Sequence, residues 1–238
     1  VLEAGRLSKH PLVQSAVEEL SVRASRGVTH ATRKAPQVPI SFLLALEGTV
    51  LDTTAPRYVR MYAWYRLIRV WGSLRFDDHR GLIPRLLRLS SRGLPGTLVR
   101  TKTSGAGRKR EELYMFISSS AYLHSAAWIE VGWHLWQAVD ASRDYFLVLP
   151  TADLQTWTLH EASYADALAM SRSVVLRLKG ADGEPLLTTA GAEQFWTEQG
   201  DRATLISLAA CLPTVCEDWL SELGRWSAKM SATYMRAH

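Results

Sequence analysis

The stretch Leu223-Gly224-Arg225-Trp226-Ser227-Ala228-Lys229-Met230-Ser231-Ala232-Thr233-Tyr234-Met235-Arg236 decides how the rest of the chain is read. A glycine-interrupted turn carries a Trp, and a Tyr follows eight residues later between a Ser/Ala/Thr run and an Arg. Tyr234 is the candidate nucleophile. A free phenol has a pKa of about 10, so it attacks a phosphodiester only where neighbouring cations stabilise the phenolate and the charge developing on phosphorus. Those cations have to come from upstream.

The bulk properties permit such a partner. The 238 residues suit one large domain, or one domain with an appendage. With 47% hydrophobic residues and a mean hydropathy of -0.06, the chain has enough apolar matter for a core. Net charge is +5 and the pI about 9.4, which favours a polyanion such as nucleic acid. Cys211 and Cys216 match neither a disulfide framework nor a zinc spacing, which suggests a reducing, intracellular compartment. No run of eighteen apolar residues or signal-peptide order is present, so no membrane partner is expected. Because the sequence begins at Val1, a fragment of a longer protein is expected.

Residues 11–26 read as an amphipathic helix, followed by the basic, proline-punctuated run Arg33-Lys34-Ala35-Pro36-Gln37-Val38-Pro39. A boundary is placed near residue 35, with 1–35 the helix and linker trailing a preceding module and 36–238 the main domain. Ile40–Leu46 and Pro56–Trp71 read as helices, the second apolar on most faces and therefore buried, its aromatics belonging to the core. The polar cluster Leu74-Arg75-Phe76-Asp77-Asp78-His79 then marks a helix-to-strand junction. Residues 97–101 and 112–117 read as strands flanking a basic, glycine-containing connection, a hairpin signal. Further helices are expected at 126–139 and 160–179, an extended piece at Tyr145–Pro150, and short helices over 189–237. The fold class is α+β, mainly α, with one small antiparallel sheet.

Arg75, Lys102 in the hairpin, Arg202 at the start of a helix, Trp226 and Tyr234 are the residues that could meet at a phosphate. In this order and segmentation they resemble the catalytic domain of tyrosine recombinases, the phage-integrase superfamily. That family has an Arg with an acidic residue three positions on, a Lys in a β-hairpin, His-x-x-Arg, Leu-Gly-(His or Trp), and a Tyr eight or nine residues later. Here Arg75 and Asp78 supply the first pair, Lys102 the hairpin Lys, and Gln199-Gly200-Asp201-Arg202 stands where His-x-x-Arg belongs. Leu223-Gly224-Arg225-Trp226 and Tyr234 complete the series. The resemblance covers roughly 38–238, and its texture suggests a divergent member, of the kind found in eukaryotic mobile elements. The one departure is Gln199, which donates a hydrogen bond but cannot act as a base near neutrality.

The resemblance implies DNA strand cleavage and rejoining without hydrolysis, needing neither nucleotide cofactor nor metal. Tyr234 would form a 3'-phosphotyrosyl link, and Arg75 and Arg202 would clamp the non-bridging oxygens. Lys102 would protonate the leaving 5'-oxygen, or act only as a phosphate-binding charge. Trp226 would buttress Tyr234, and Asp78 would orient Arg75 or Arg202. Arg100, Arg108, Lys109 and Arg110 are expected to hold the DNA backbone without reading it. The implied partners are double-stranded DNA and further copies of the chain in a tetramer, with localisation on DNA, in the nucleus for a eukaryotic source. Three other readings stay open: a catalytically impaired DNA-binding protein on the same fold, a type IB topoisomerase, and a helical interaction domain.

Overall fold

The computed structural model describes residues 37–99, 113–139, 142–193 and 198–224, within a compact unit that spans Ala35–His238. The helix and linker expected over 1–35 lie outside the described residues. The described part is mainly α-helical with two separate two-stranded antiparallel sheets, where one was expected.

Helix α1 (Ile40–Leu51) follows Pro39, whose carbonyl accepts from the N–H groups of Phe42 and Leu43. Phe42 and Leu43, then Leu46 and Val50 at helical spacing, give it one buried face. Pro56 sits at the N-cap of α2 (Arg57–Trp71), which is buried on nearly every side from Tyr58 to Val70. Such a helix needs neighbours all round. They are α1, α4 (Ala127–Gln137), α5 (Tyr164–Val175) and α7 (Gly200–Ala210).

The aromatics of α2 are core, as their density predicts. Tyr62 stacks on Tyr65 with ring centroids 5.2 Å apart, and Trp64 meets Trp136 of α4 at 6.0 Å. Full burial of a side chain of Phe size is worth about 1.5–3 kcal/mol, so this helix carries much of the fold's hydrophobic stabilisation. Their hydroxyls are not wasted: Tyr58 donates to the Val148 carbonyl and Tyr62 to that of Ala167, each at 2.5 Å. Burial raises both phenols well above their ordinary value, which keeps them neutral and able to donate.

The cluster after α2 is a short helix, α3 (Phe76–Arg80), not the edge of a strand. Arg75 therefore stands between two helices. The turn that produces this uses Ser73 at φ 48°, with Leu74 N–H bonded to the Arg69 carbonyl at 2.8 Å in a Schellman-type ending. Phe76, Asp78 and His79 of α3 point inward and are buried.

Strand β1 (Gly93–Leu98) pairs antiparallel with β2 (Leu113–Ser118), from Gly93↔Ser118 to Leu98↔Leu113. The first strand begins four residues earlier than its expected 97, because Pro95 and Gly96 disguise it. The Pro95 carbonyl accepts from Arg88 N–H at 3.2 Å on the edge away from β2. At Gly96 a Cβ would come within 2.9 Å of the methyls of Leu82 and Leu87, so a glycine fits where the chains cross closely.

The second sheet pairs β3 (Val148–Pro150) with β4 (Trp157–Glu161). Here a helix was expected from residue 160. It starts instead at Tyr164, where Ser163 and Asp166 form a capping box: Ser163 Oγ accepts from Asp166 N–H at 3.2 Å and Asp166 accepts from Ser163 N–H at 2.9 Å. Short helices α6 (Thr189–Ala192) and α8 (Glu217–Gly224) flank α7, in line with the breakup expected over 189–237 as far as the described residues reach.

Glu47 fixes the entry to α4. Buried in α1, its carboxylate accepts from three successive backbone N–H groups, Leu123 and His124 at 2.8 Å and Ser125 at 3.1 Å.

Candidate functional site

Two arginines, Arg66 and Arg69, lie three apart on the buried helix α2. Arg69 is fully buried and Arg66 nearly so, and each needs a carboxylate. Glu198 and Asp201, also three apart, provide them at the start of α7. Arg66 bonds Asp201 at 2.6 Å and lies 3.7 Å from Glu198. Arg69 lies 3.3 Å from Asp201 and holds both the carboxylate and the carbonyl of Glu198. Ser171 of α5 donates to Glu198 at 2.6 Å, and Tyr62 and Ser171 share a bond of 2.8 Å.

The electrostatics follow from this packing. Burial works against the charge of Arg66 and Arg69, but Asp201 and Glu198 outweigh it and hold both guanidinium groups above their ordinary value. Burial also pushes Glu198 up, yet Arg69 and Arg66 overcome it and keep the carboxyl below the usual range. Asp201 differs: desolvation dominates over the pull of the two arginines, and its carboxyl is raised. The block is neutral overall, two positive against two negative.

This block pins the segment Glu198–Arg202 to α2, and with it the motif that the sequence singled out. Gln199 is the exposed N-cap of α7, and Arg202 lies in the first turn. The Arg202 guanidinium points inward, 1% exposed, donating to the Ser73 carbonyl at 3.2 Å and to Asp78 at 3.4 Å. Ser73 returns a bond from its hydroxyl to the Arg202 carbonyl at 3.1 Å. Thus the residue held in the left-handed region is the one that grips Arg202 from both sides, a place where stored backbone strain is matched by specific contacts.

Asp78 joins the two halves. Its carboxylate accepts from the Arg75 backbone N–H at 3.0 Å while facing Arg202. The Arg75 side chain is partly exposed, so of the two arginines it is the one presented to solvent. Asp78 therefore meets the Arg202 guanidinium and the Arg75 backbone at one carboxylate, and Gln199 stands at the surface at the start of the same helix as Arg202. Lys102, Trp226 and Tyr234 lie outside the described residues, as do Arg100, Arg108, Lys109 and Arg110.

His79, next to Asp78, is buried in an aromatic box, 4.1 Å from the Tyr65 ring and 4.4 Å from Phe146. Neither ring nitrogen has a hydrogen-bond partner among the described residues. Burial, then the charge of Arg69, holds it well below the ordinary imidazole value, so it is neutral.

Sequence reasoning missed the four-charge block. The signal was present: two arginines three apart in a helix with no polar face, and two acids three apart beside the motif of Arg202. Among the described residues no group of three or more His, Cys, Asp or Glu could hold a metal ion. No described helix is long and apolar enough to cross a membrane.

No protein-family model matches the chain, and no curated protein does. Among solved structures, the chain is similar to an FLP recombinase–Holliday junction complex, with a TM-score of 0.49 and 11% identity, covering 97% of this chain and 55% of that one. A mutant Flpe–DNA Holliday junction complex follows, with a TM-score of 0.48 and 12% identity over 91% of this chain and 52% of that one. The chain thus spans about half the length of the solved structures it matches.

Proposed function

We propose that the chain is the catalytic part of a DNA breaking-and-rejoining enzyme of the tyrosine-recombinase kind. The observation that carries this is the contact of Asp78 with Arg202 at 3.4 Å: two motifs 124 positions apart in sequence meet through one carboxylate. Tyr234 releases its phenol proton to solvent as Oη attacks the scissile phosphorus, the P–O bond to the 5'-oxygen breaks, and Lys102 supplies the proton with which that oxygen leaves as a hydroxyl. Rejoining runs the same exchange backwards with a hydroxyl from another strand, so the bond energy is conserved and no cofactor is consumed.

Arg75 and Arg202 stabilise the charge on the non-bridging oxygens, a task for planar bidentate donors. Asp78 holds Arg202 in place, Trp226 supports Tyr234, and Gln199 donates a hydrogen bond at the phosphate. Arg100, Arg108, Lys109 and Arg110 grip the DNA backbone. Because Arg202 is buried, the neighbouring chain has to part before a phosphate can reach it, and DNA binding completes the site. Double-stranded DNA and further copies of the chain are the partners, in site-specific recombination or in the integration and excision of a mobile element, inside the cell.

A second reading, DNA binding on this fold without cleavage, is favoured by Gln199 at the expected His position and by the burial of Arg202. A suicide substrate nicked beside the scissile phosphate separates the two. Covalent trapping that is lost in Tyr234→Phe and rises in Gln199→His supports the enzyme; DNA binding with no trapping in any variant supports the second reading. Relaxation of a plasmid lacking any special site would point instead to topoisomerase action.

A further inference from the structure

Between Asp78 and Glu111 the chain carries nine Lys or Arg and no Asp or Glu, more positive charge than the net +5 of the whole protein. Within the described part of this stretch Arg80 is neutralised by Glu161 at 2.7 Å. Arg85, Arg88 and Arg92 are exposed, and none pairs with a carboxylate among the described residues. Their segment runs along the outer edge of β1: Ile83 N–H bonds the Thr97 carbonyl at 3.3 Å and Arg88 N–H that of Pro95 at 3.2 Å.

The same sheet shows an unusual outer face. On β2, Leu113, Met115 and Ile117 point into the core while Tyr114 and Phe116 point out, 75% and 53% exposed. Their cross-strand partners are Thr97 and Pro95, which leave the rings uncovered. A strand rises about 3.4 Å per residue, so two residues on one face stand about 6.8 Å apart. That is twice the roughly 3.4 Å spacing of stacked nucleotides in one DNA strand. Two rings so placed accept bases that have been pulled apart, not bases in an intact stack. Arg88 spends part of its guanidinium on the carbonyls of Arg85 and Leu87. A Tyr and a Phe set in solvent bury little apolar surface in the fold, whereas a nucleic acid uses such rings together with cations on the same sheet.

We propose that the outer face of the β1–β2 sheet is a second nucleic-acid contact surface, on which Tyr114 and Phe116 stack unpaired bases while Arg85, Arg88 and Arg92 hold the flanking phosphates. The surface selects single-stranded or unpaired DNA over duplex. It goes beyond the cleavage reading and does not need Tyr234.

The test is fluorescence anisotropy of the full chain with a labelled thymidine oligonucleotide and with a duplex of the same length, over a salt series. Tyr114→Ala with Phe116→Ala is expected to weaken single-strand binding by at least about 10-fold, since each base–aromatic stack is worth about 5- to 150-fold in affinity. Duplex affinity is expected to change less than about 3-fold. Arg85→Ser, Arg88→Ser and Arg92→Ser together should flatten the single-strand salt slope by about 2, at about 0.7 per phosphate contact. Unchanged single-strand affinity in the aromatic variant overturns the proposal, provided its thermal unfolding matches the parent. So does loss of self-association in sedimentation without loss of DNA binding, which would make the face a protein interface. Single-strand binding that depends on these rings, without covalent trapping by Tyr234, supports this surface while sinking the cleavage reading; trapping with no such dependence does the reverse.

Discussion

Asp78 and Arg202 lie 124 positions apart in the chain and 3.4 Å apart in space, and the carboxylate that meets the guanidinium also caps the helix beginning after Arg75. Both groups are buried, so neither finds water if the other is removed. Asp78→Ala is expected to lower stability by about 3–5 kcal/mol, the usual cost of removing one partner of a buried pair. Asp78→Asn, which still accepts from the Arg75 N–H, should lose less. Urea denaturation of both variants against the parent measures this; equal stability of Asp78→Ala and parent would mean the contact contributes nothing.

Glu198 is held by both Arg66 and Arg69 and by Ser171. Glu198→Gln leaves the block with an excess positive charge in a dry interior, and a loss of about 3–5 kcal/mol follows. Removing a charge of each sign, as in Glu198→Gln with Arg69→Met, should cost less than the two single changes added together. A double-mutant cycle by chemical denaturation reads the coupling; strict additivity would contradict the network.

His79 gives the protein an acid-sensitive component. Its folded value is depressed by burial and by Arg69, while the unfolded value is about 6.5. Above about 6.5 both states are neutral and nothing is lost. As pH falls through that value the unfolded chain takes up a proton that the folded chain refuses, and stability declines by up to about 1.4 kcal/mol per unit. Tyr65, Phe146 and Arg69 face the ring, and none supplies a negative charge. His79→Phe should flatten the melting temperature between pH 6.5 and 5 relative to the parent, by calorimetry; parallel curves would exclude His79 as the cause.

Gly132 of α4 lies directly against the Trp64 indole, which a Cβ there would overlap. Gly132→Ala is expected to destabilise by about 1–3 kcal/mol despite its better helix propensity, because overpacking of this kind displaces a buried ring. Near-ultraviolet circular dichroism should show a changed Trp environment. A gain in thermal stability would refute the close approach.

Glu47 serves three backbone donors at once. Glu47→Ala strands all three N–H groups and should cost about 2–4 kcal/mol, with faster amide exchange at Leu123, His124 and Ser125. Exchange rates unchanged at these three positions would place their protection elsewhere.

How much of this was legible beforehand depended on range. The burial of α2 was plain, because Tyr58, Tyr62, Trp64 and Tyr65 crowd every face of one turn after another. The strand over Gly93–Leu98 was hidden, since Pro95 and Gly96 are poor strand formers locally and fit only because Arg88, Leu82 and Leu87 pass alongside. The start of α5 at Tyr164 was marked by Ser163 and Asp166, a capping pair that the reading of a helix from residue 160 passed over. Arg75, Asp78 and Arg202 were singled out by motif order, whereas the block that fixes Arg202 was not, because it exists only once α2 and α7 touch.

The neutrality of that block reaches beyond the folded state into inheritance. A lineage that alters one of Arg66, Arg69, Glu198 or Asp201 carries an uncompensated ion in its interior until a second change restores the sum. These four positions are therefore expected to drift as matched pairs of opposite sign, and a gene family in which they vary independently would have to hold α2 and α7 together by other means.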